Sequence, residues 1–237
     1  MAKAHEAWKV LSHGEIEKLE PNLWRVQGTL PGMALKRVMT LVRLDDGRVV
    51  IHGAIALEVP AMAEIEGWGT PAILLVPNRY HRLDAPAYLD RYPDLVVLCP
   101  RGSRSGVEEV IRVAGDYDEF AGDPALDLEH LDGVGKAEGV VTVRSPDGTT
   151  LIFNDAIFNV PHGRGLAGFI FRYITDSTGG PRVTRVFRWL AVKEKPAFRG
   201  HLQRLADTPE LKRIIVSHHR MITDNPASVL RGVAAKL

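Results

Sequence analysis

The spacing of apolar and polar positions divides the chain into strand-like and helix-like segments in alternation. Residues 23–26 (Leu-Trp-Arg-Val) open with strand character, and a second β-rich run covers 38–44. The turn Asp45-Asp46-Gly47 leads into a third run, 48–52, and an Asp-Gly turn between two such runs predicts a hairpin. Residues 60–66 carry Pro60 in the first turn and Gly67 as a stop, which predicts a short helix. The uninterrupted apolar runs 72–76 and 95–99 have the length of strands buried on both faces. Residues 84–91 and 107–113 read as helices, the second entered through the loop 100–106. The stretch 116–136 is rich in Asp, Gly and Glu with little periodicity, and predicts a long surface excursion. A second hairpin follows, with strands 139–144 and 150–153 around the turn Ser145-Pro146-Asp147-Gly148. Helical spacing then covers 166–175, 183–191 and 198–205. A last buried strand, 213–217, precedes a closing helix over 226–237.

Each half of the chain thus contains a hairpin, helices and a buried strand. There is no sequence repeat and no Ser/Gly-rich linker, so the expectation is one α/β domain of two packed halves, over residues 19–237, with 1–18 as an N-terminal extension. With 237 residues, 45% of them hydrophobic, a large core can be buried. The formal net charge of +1 gives no bulk attraction to nucleic acid or to an anionic membrane. The apolar runs fall far short of the about 20 residues that cross a bilayer. The first residues carry Lys3, His5, Glu6, Lys9 and His13 without an apolar run, which argues against a secretory signal. A single cysteine, Cys99, leaves no internal disulfide and no zinc site built from several thiolates. The expectation is a cytoplasmic, soluble protein that meets a small-molecule ligand rather than nucleic acid or membrane, with a homo-oligomer left open.

Candidate chemistry sits at the strand ends, where α/β folds gather their ligands. His52 ends the first hairpin. Asn78, His81 and Asp84 follow the run ending at Val76, Asp155 follows Phe153, and His218-His219 follow Ser217. Imidazole and carboxylate are common ligands of first-row metals, and a His/Asp set suits Zn or Fe. Each residue also has a plainer reading: His52 can hydrogen-bond a loop, His81 can be an ordinary loop histidine, and Asp155 can cap the segment that follows it. Asp84, two residues before Pro86, reads best as a helix N-cap.

In the order of these segments the chain resembles the metallo-β-lactamase fold superfamily, and more closely a branch with degenerate metal motifs. The segments that carry the resemblance are 46–53 (Asp-Gly-Arg-Val-Val-Ile-His-Gly), 69–81, 151–155 (Leu-Ile-Phe-Asn-Asp) and 214–218 (Ile-Ile-Val-Ser-His). The resemblance implies a four-layer αββα sandwich. It also exposes departures. Where the superfamily has His-x-His-x-Asp-His, this chain reads Asn78-Arg79-Tyr80-His81-Arg82-Leu83-Asp84, so Asn78 and Tyr80 stand at the places of the first two histidines. His52 stands where an Asp is usual, and the middle His has no counterpart near 140–144. Asp155 and His218 match the bridging carboxylate and the last histidine.

The resemblance therefore implies a hydrolase-like protein holding at most one weakly bound divalent metal, Zn or Fe, through His81, Asp155 and His218, with His52 second. Asp84 would orient a water, and Asn78 and Tyr80 would contact the ligand. The substrate would be an ester, thioester or amide. The alternative is a non-catalytic small-ligand-binding protein of the same fold that lacks metal. Three further motifs are set aside. Residues 163–168 match G-x-G-x-x-G, but the next segment is helically spaced, with Arg182, Arg185 and Arg188 between its apolar positions, where a strand ending in an acid is required. Gly102-Ser103-Arg104-Ser105-Gly106 reads as a tight turn, and the arginine series as a solvated helix face.

Overall fold

The computed structural model describes residues 3–237. Two sheets make up its middle. In the first, β1 (Glu17–Glu20), β2 (Leu23–Leu30), β3 (Met33–Arg43) and β4 (Arg48–His52) form an antiparallel meander. It continues in parallel through β5 (Thr70–Leu75), β6 (Val96–Cys99) and β7 (Gly115–Asp116). The second sheet has the order β11-β10-β9-β8, from β8 (Leu126–His130), β9 (Gly139–Ser145), β10 (Gly148–Phe153) and β11 (Leu211–Val216). Its β10/β11 pair is parallel and its other pairs are antiparallel.

Alternation along the strands builds the layers, because successive side chains point to opposite faces. Val50, Ile73, Leu75, Ile152 and Ile215 meet in one cluster between the sheets. Their neighbours Val49, Ile51, Leu74 and Val76 face outward onto α1 (Val59–Trp68), α2 (Ala85–Arg91) and α3 (Arg104–Glu108), where Met62, Ile65, Tyr88 and Val107 cover them. On the far side, Leu151, Phe153, Ile214 and Val216 pack under α6 (Lys195–Ala206) and α7 (Pro226–Ala235), against Phe198, Leu202, Leu205 and Leu230. The result is the four-layer αββα sandwich. The strands are apolar on both faces because each sheet has a layer on either side. Between β10 and α6 lie α4 (Gly165–Phe169), which runs on as π-helical turns through Ile174, and α5 (Arg185–Leu190).

Three expectations change. The helix expected over 107–113 is α3, which starts at Arg104 and ends at Glu108; Ile111 and Val113 instead fill the core on the way to β7. The stretch 116–136 is not simply a surface excursion, since it contains β8. There Leu126 and Leu128 pack toward the inter-sheet core while Asp127 points outward, an alternation that the acids disguise. The edge strand β1 has no counterpart in the sequence reading. The segment before it is tied down: Trp8 donates to the Leu57 carbonyl and packs on Tyr88 with tilted rings 4.9 Å apart, and Ile16 packs on the core. Cys99 is buried, and burial pushes its thiol up to about 12. Among the described residues, no helix is long and apolar enough to cross a membrane.

Candidate metal centre

Parallel pairing brings strand ends to one rim. His52 is in register with Leu75 across β4/β5, and Phe153 with Val216 across β10/β11. The Val38 amide donates to the Ser217 carbonyl at 2.9 Å and joins the two sheets there. The residues leaving these strands therefore meet, as expected at the carboxyl ends of strands in α/β folds.

Three of them converge. His81 Nε2 and His218 Nε2 each lie 3.1 Å from the same oxygen, Asp155 Oδ1. The two rings are 5.0 Å apart, and one potential ligand atom from each residue lies within 4.8 Å of the others. His218 is held from behind. Its Nδ1 is 2.9 Å from the Lys36 carbonyl, and the Phe158 ring packs on it at 4.8 Å. The Lys36 amide donates to His219 Nε2 at 3.1 Å, so one residue of β3 fixes both histidines. A carbonyl only accepts, so His218 Nδ1 must carry a proton, which turns the Nε2 lone pair toward a carboxylate oxygen. Two acceptors facing each other need a proton or a cation between them. Two imidazole nitrogens and one carboxylate oxygen are a donor set that fits a single divalent metal.

The second oxygen, Asp155 Oδ2, accepts from Asn78 Nδ2 at 2.8 Å. The same amide donates to Glu138 Oε1 at 2.6 Å, and Asn78 Oδ1 accepts from the Tyr80 amide. Asn154 Nδ2 donates to Glu138 Oε1 at 3.1 Å. Burial works to raise the Asp155 pKa, but neighbouring His81 and the contact with His218 overcome it and hold the carboxyl well below the usual range. Glu138 moves the other way. Burial, and then the Asp155 charge, push it well above its ordinary value against the two amides. Environment thus pushes the pKa values of two nearby carboxyls in opposite directions.

The remaining expected residues lie apart from this cluster. His52 is buried and outside the close group of donor atoms; burial, and then His81, lower its pKa to about 3, so its ring is neutral. Tyr80 has a side chain at the surface, 60% exposed. Asp84 departs from both expectations. It precedes α2, but its side chain does not cap the helix. Its carboxylate is buried against His5 Nδ1 at 2.7 Å, Arg37 Nη2 at 2.7 Å and the Ala56 amide at 3.0 Å, so it is taken up by structural partners rather than by a water at the hollow. Glu138 is not among the site residues expected from the sequence. Its only signal was an acid placed directly before the apolar run of β9, and a fully buried Glu is rare without partners. A second group, Asp116, Asp118 and His130, also brings ligand atoms together, but Arg101 and Lys136 already neutralise its carboxylates. Gly163 and Gly168 pack against each other, where a Cβ at Gly168 would clash with the Gly163 carbonyl, and Gly165 takes a left-handed φ of +70°.

The neutral state of His52 has a measurable consequence. Unfolded, the ring protonates near 6.5; folded, it stays neutral down to about 3. The unfolded chain therefore binds the extra proton between these values, and stability falls as pH drops through that window. The loss by pH 5 should be about 2 kcal/mol from this residue. Urea unfolding at pH 7 and pH 5 should show a smaller pH dependence in His52→Gln than in the parent, and an unchanged dependence would refute the assignment.

Sequence comparison matches no family model and no curated protein. Structure comparison does find chains of similar fold. A crystal structure of the DIM-1 metallo-β-lactamase superposes with a TM-score of 0.62 at 13% identity, covering 95% of this chain and 99% of that one. The same enzyme exposed to ceftazidime gives 0.61 at 13% identity, covering 96% and 99%. The chain has the metallo-β-lactamase fold.

Proposed function

We propose that the protein is a hydrolase-like member of this fold that holds one divalent metal, Zn or Fe, on His81, Asp155 and His218 and cleaves an ester, thioester or amide. The observation that carries the reading is the convergence of two imidazole nitrogens on one Asp155 oxygen, with the His218 lone pair turned inward by the Lys36 carbonyl. When bound, the metal supplies a Lewis acid that lowers the pKa of a water. The chain's own residues prepare for it. Asp155 is kept ionised, and Asn78 holds its second oxygen. His52 stays neutral and adds no positive charge beside His81. Tyr80, exposed and two residues from Asn78, would contact the small-molecule ligand in this reading. A cytoplasmic setting, with its single buried cysteine left reduced, belongs to the same reading.

One observation favours a second reading. Asn78, at the place where the resemblance implies a histidine, is already engaged by Glu138, Asp155 and the Tyr80 amide, which suits a hollow that binds a small ligand without metal. Elemental analysis separates the two. Protein prepared without chelator and with zinc and iron supplied should carry about one ion per chain, matching the single donor set. That ion should be lost in His218→Ala. Metal-free protein under the same supply would reject the hydrolytic reading in favour of the binding protein.

A further inference from the structure

Surface helices normally turn their apolar stripe to the core. Between Asp155 and α6 this chain does the opposite. In α4 and its π-helical continuation, Leu166, Phe169, Ile170, Tyr173 and Ile174 recur at helical spacing, and all five are exposed. In α5, Val186, Trp189 and Leu190 repeat the pattern, with Trp189 77% exposed while Phe187 is buried beneath. The two stretches are joined: the Arg185 amide donates to the Thr175 carbonyl, and its guanidinium donates to the Tyr173 and Ile174 carbonyls.

Charge is concentrated on the same element. From 164 to 193 the chain carries Arg164, Arg172, Arg182, Arg185, Arg188 and Lys193 against one acid, Asp176. Arg182 and Arg188 are paired with Asp176 and Arg185 is tied to carbonyls, which leaves Arg164, Arg172 and Lys193 as the exposed cations of this element. The whole chain is only +1, so the rest of the molecule is net acidic.

We propose that this outward-facing pair of helices docks on an anionic lipid surface, with the apolar stripe at the boundary of headgroups and acyl chains and the basic side chains against headgroup phosphates. Apolar residues, interfacial Trp and Tyr, and flanking arginines are the composition such a surface binds. A second copy of the chain fits less well. A two-fold contact would set these cations against their own copies, and charge is depleted from the cores of protein interfaces. No spanning helix is required for surface docking. The element is rooted at the metal centre, since Phe158 packs on His218 and also bridges to Arg182. The docking itself does not depend on whether a metal binds there.

Flotation of the full-length protein with phosphatidylcholine vesicles, with and without phosphatidylserine, tests the proposal. Partitioning should be about tenfold or more stronger with phosphatidylserine and should weaken as salt rises. Trp189→Ser/Leu190→Ser should abolish it, and Arg164→Gln/Arg172→Gln should remove the preference for phosphatidylserine. All four positions are exposed, and circular dichroism would verify that both variants fold. Indifference to phosphatidylserine overturns the proposal. So does a dimer in sedimentation equilibrium that Trp189→Ser/Leu190→Ser dissociates while the parent ignores both kinds of vesicle.

Discussion

Asp155→Asn should lower affinity for zinc by about 100-fold or more, because ligands and their supports each contribute at least 10 to 100-fold at metal sites. The substitution keeps the size of the side chain and removes its charge. In the parent, one oxygen faces both imidazoles at 3.1 Å and the other accepts from Asn78. An amide at this position offers at best a neutral oxygen and turns its NH2 toward the remaining partner. Competition with a chromogenic chelator measures the change. A thermal melt in excess chelator serves as the control, since loss of affinity through unfolding would appear there. Affinity equal to that of the parent would remove Asp155, and with it the proposed centre.

The second large effect is on stability. Asp84→Ala should cost about 3–5 kcal/mol, the range for breaking a buried ion pair by removing one partner. The carboxylate has no exposed side-chain surface, and the Arg37 guanidinium opposite it is 7% exposed. Ala would leave that cation buried with the Thr29 carbonyl as its remaining acceptor, would free the Ala56 amide and would strip His5 of its partner. Replacing both members with apolar residues, Asp84→Leu/Arg37→Met, should recover much of the loss, because a buried pair often does little better than packed hydrocarbon. Guanidinium unfolding of the single and double variants reads this directly. Zinc affinity of folded Asp84→Ala should match the parent, since none of its contacts is a member of the metal hollow. A large change in affinity would return Asp84 to the site.

Much of the fold is legible in the sequence because the strands are apolar on both faces. Runs such as 72–76 and 213–217 read as buried strands whichever layer covers them, and each ends in the structure within a residue or two of the expected boundary. What hides is polar by composition. The strand β8 alternates, but its outward acids make it look like a loop, and β1 is a short edge with two glutamates. At the site, His81, Asp155 and His218 could be named because ligand-type residues after strand ends are visible without coordinates. Glu138 could not, because a glutamate next to a glycine carries no mark of burial. Asp84 misled for a related reason. An acid before a helix has a familiar local use, and its distant partner Arg37, 47 positions away, leaves no local trace.

The hold of Lys36 on the histidine pair comes entirely from main-chain atoms. Evolution can therefore exchange the side chain at 36 without disturbing which imidazole nitrogen keeps its hydrogen. What it cannot do is insert or delete one residue in that arm of the β2–β3 hairpin. Such a slip would move the anchoring carbonyl away from His218 and scramble the tautomer, even with every ligand-bearing codon intact.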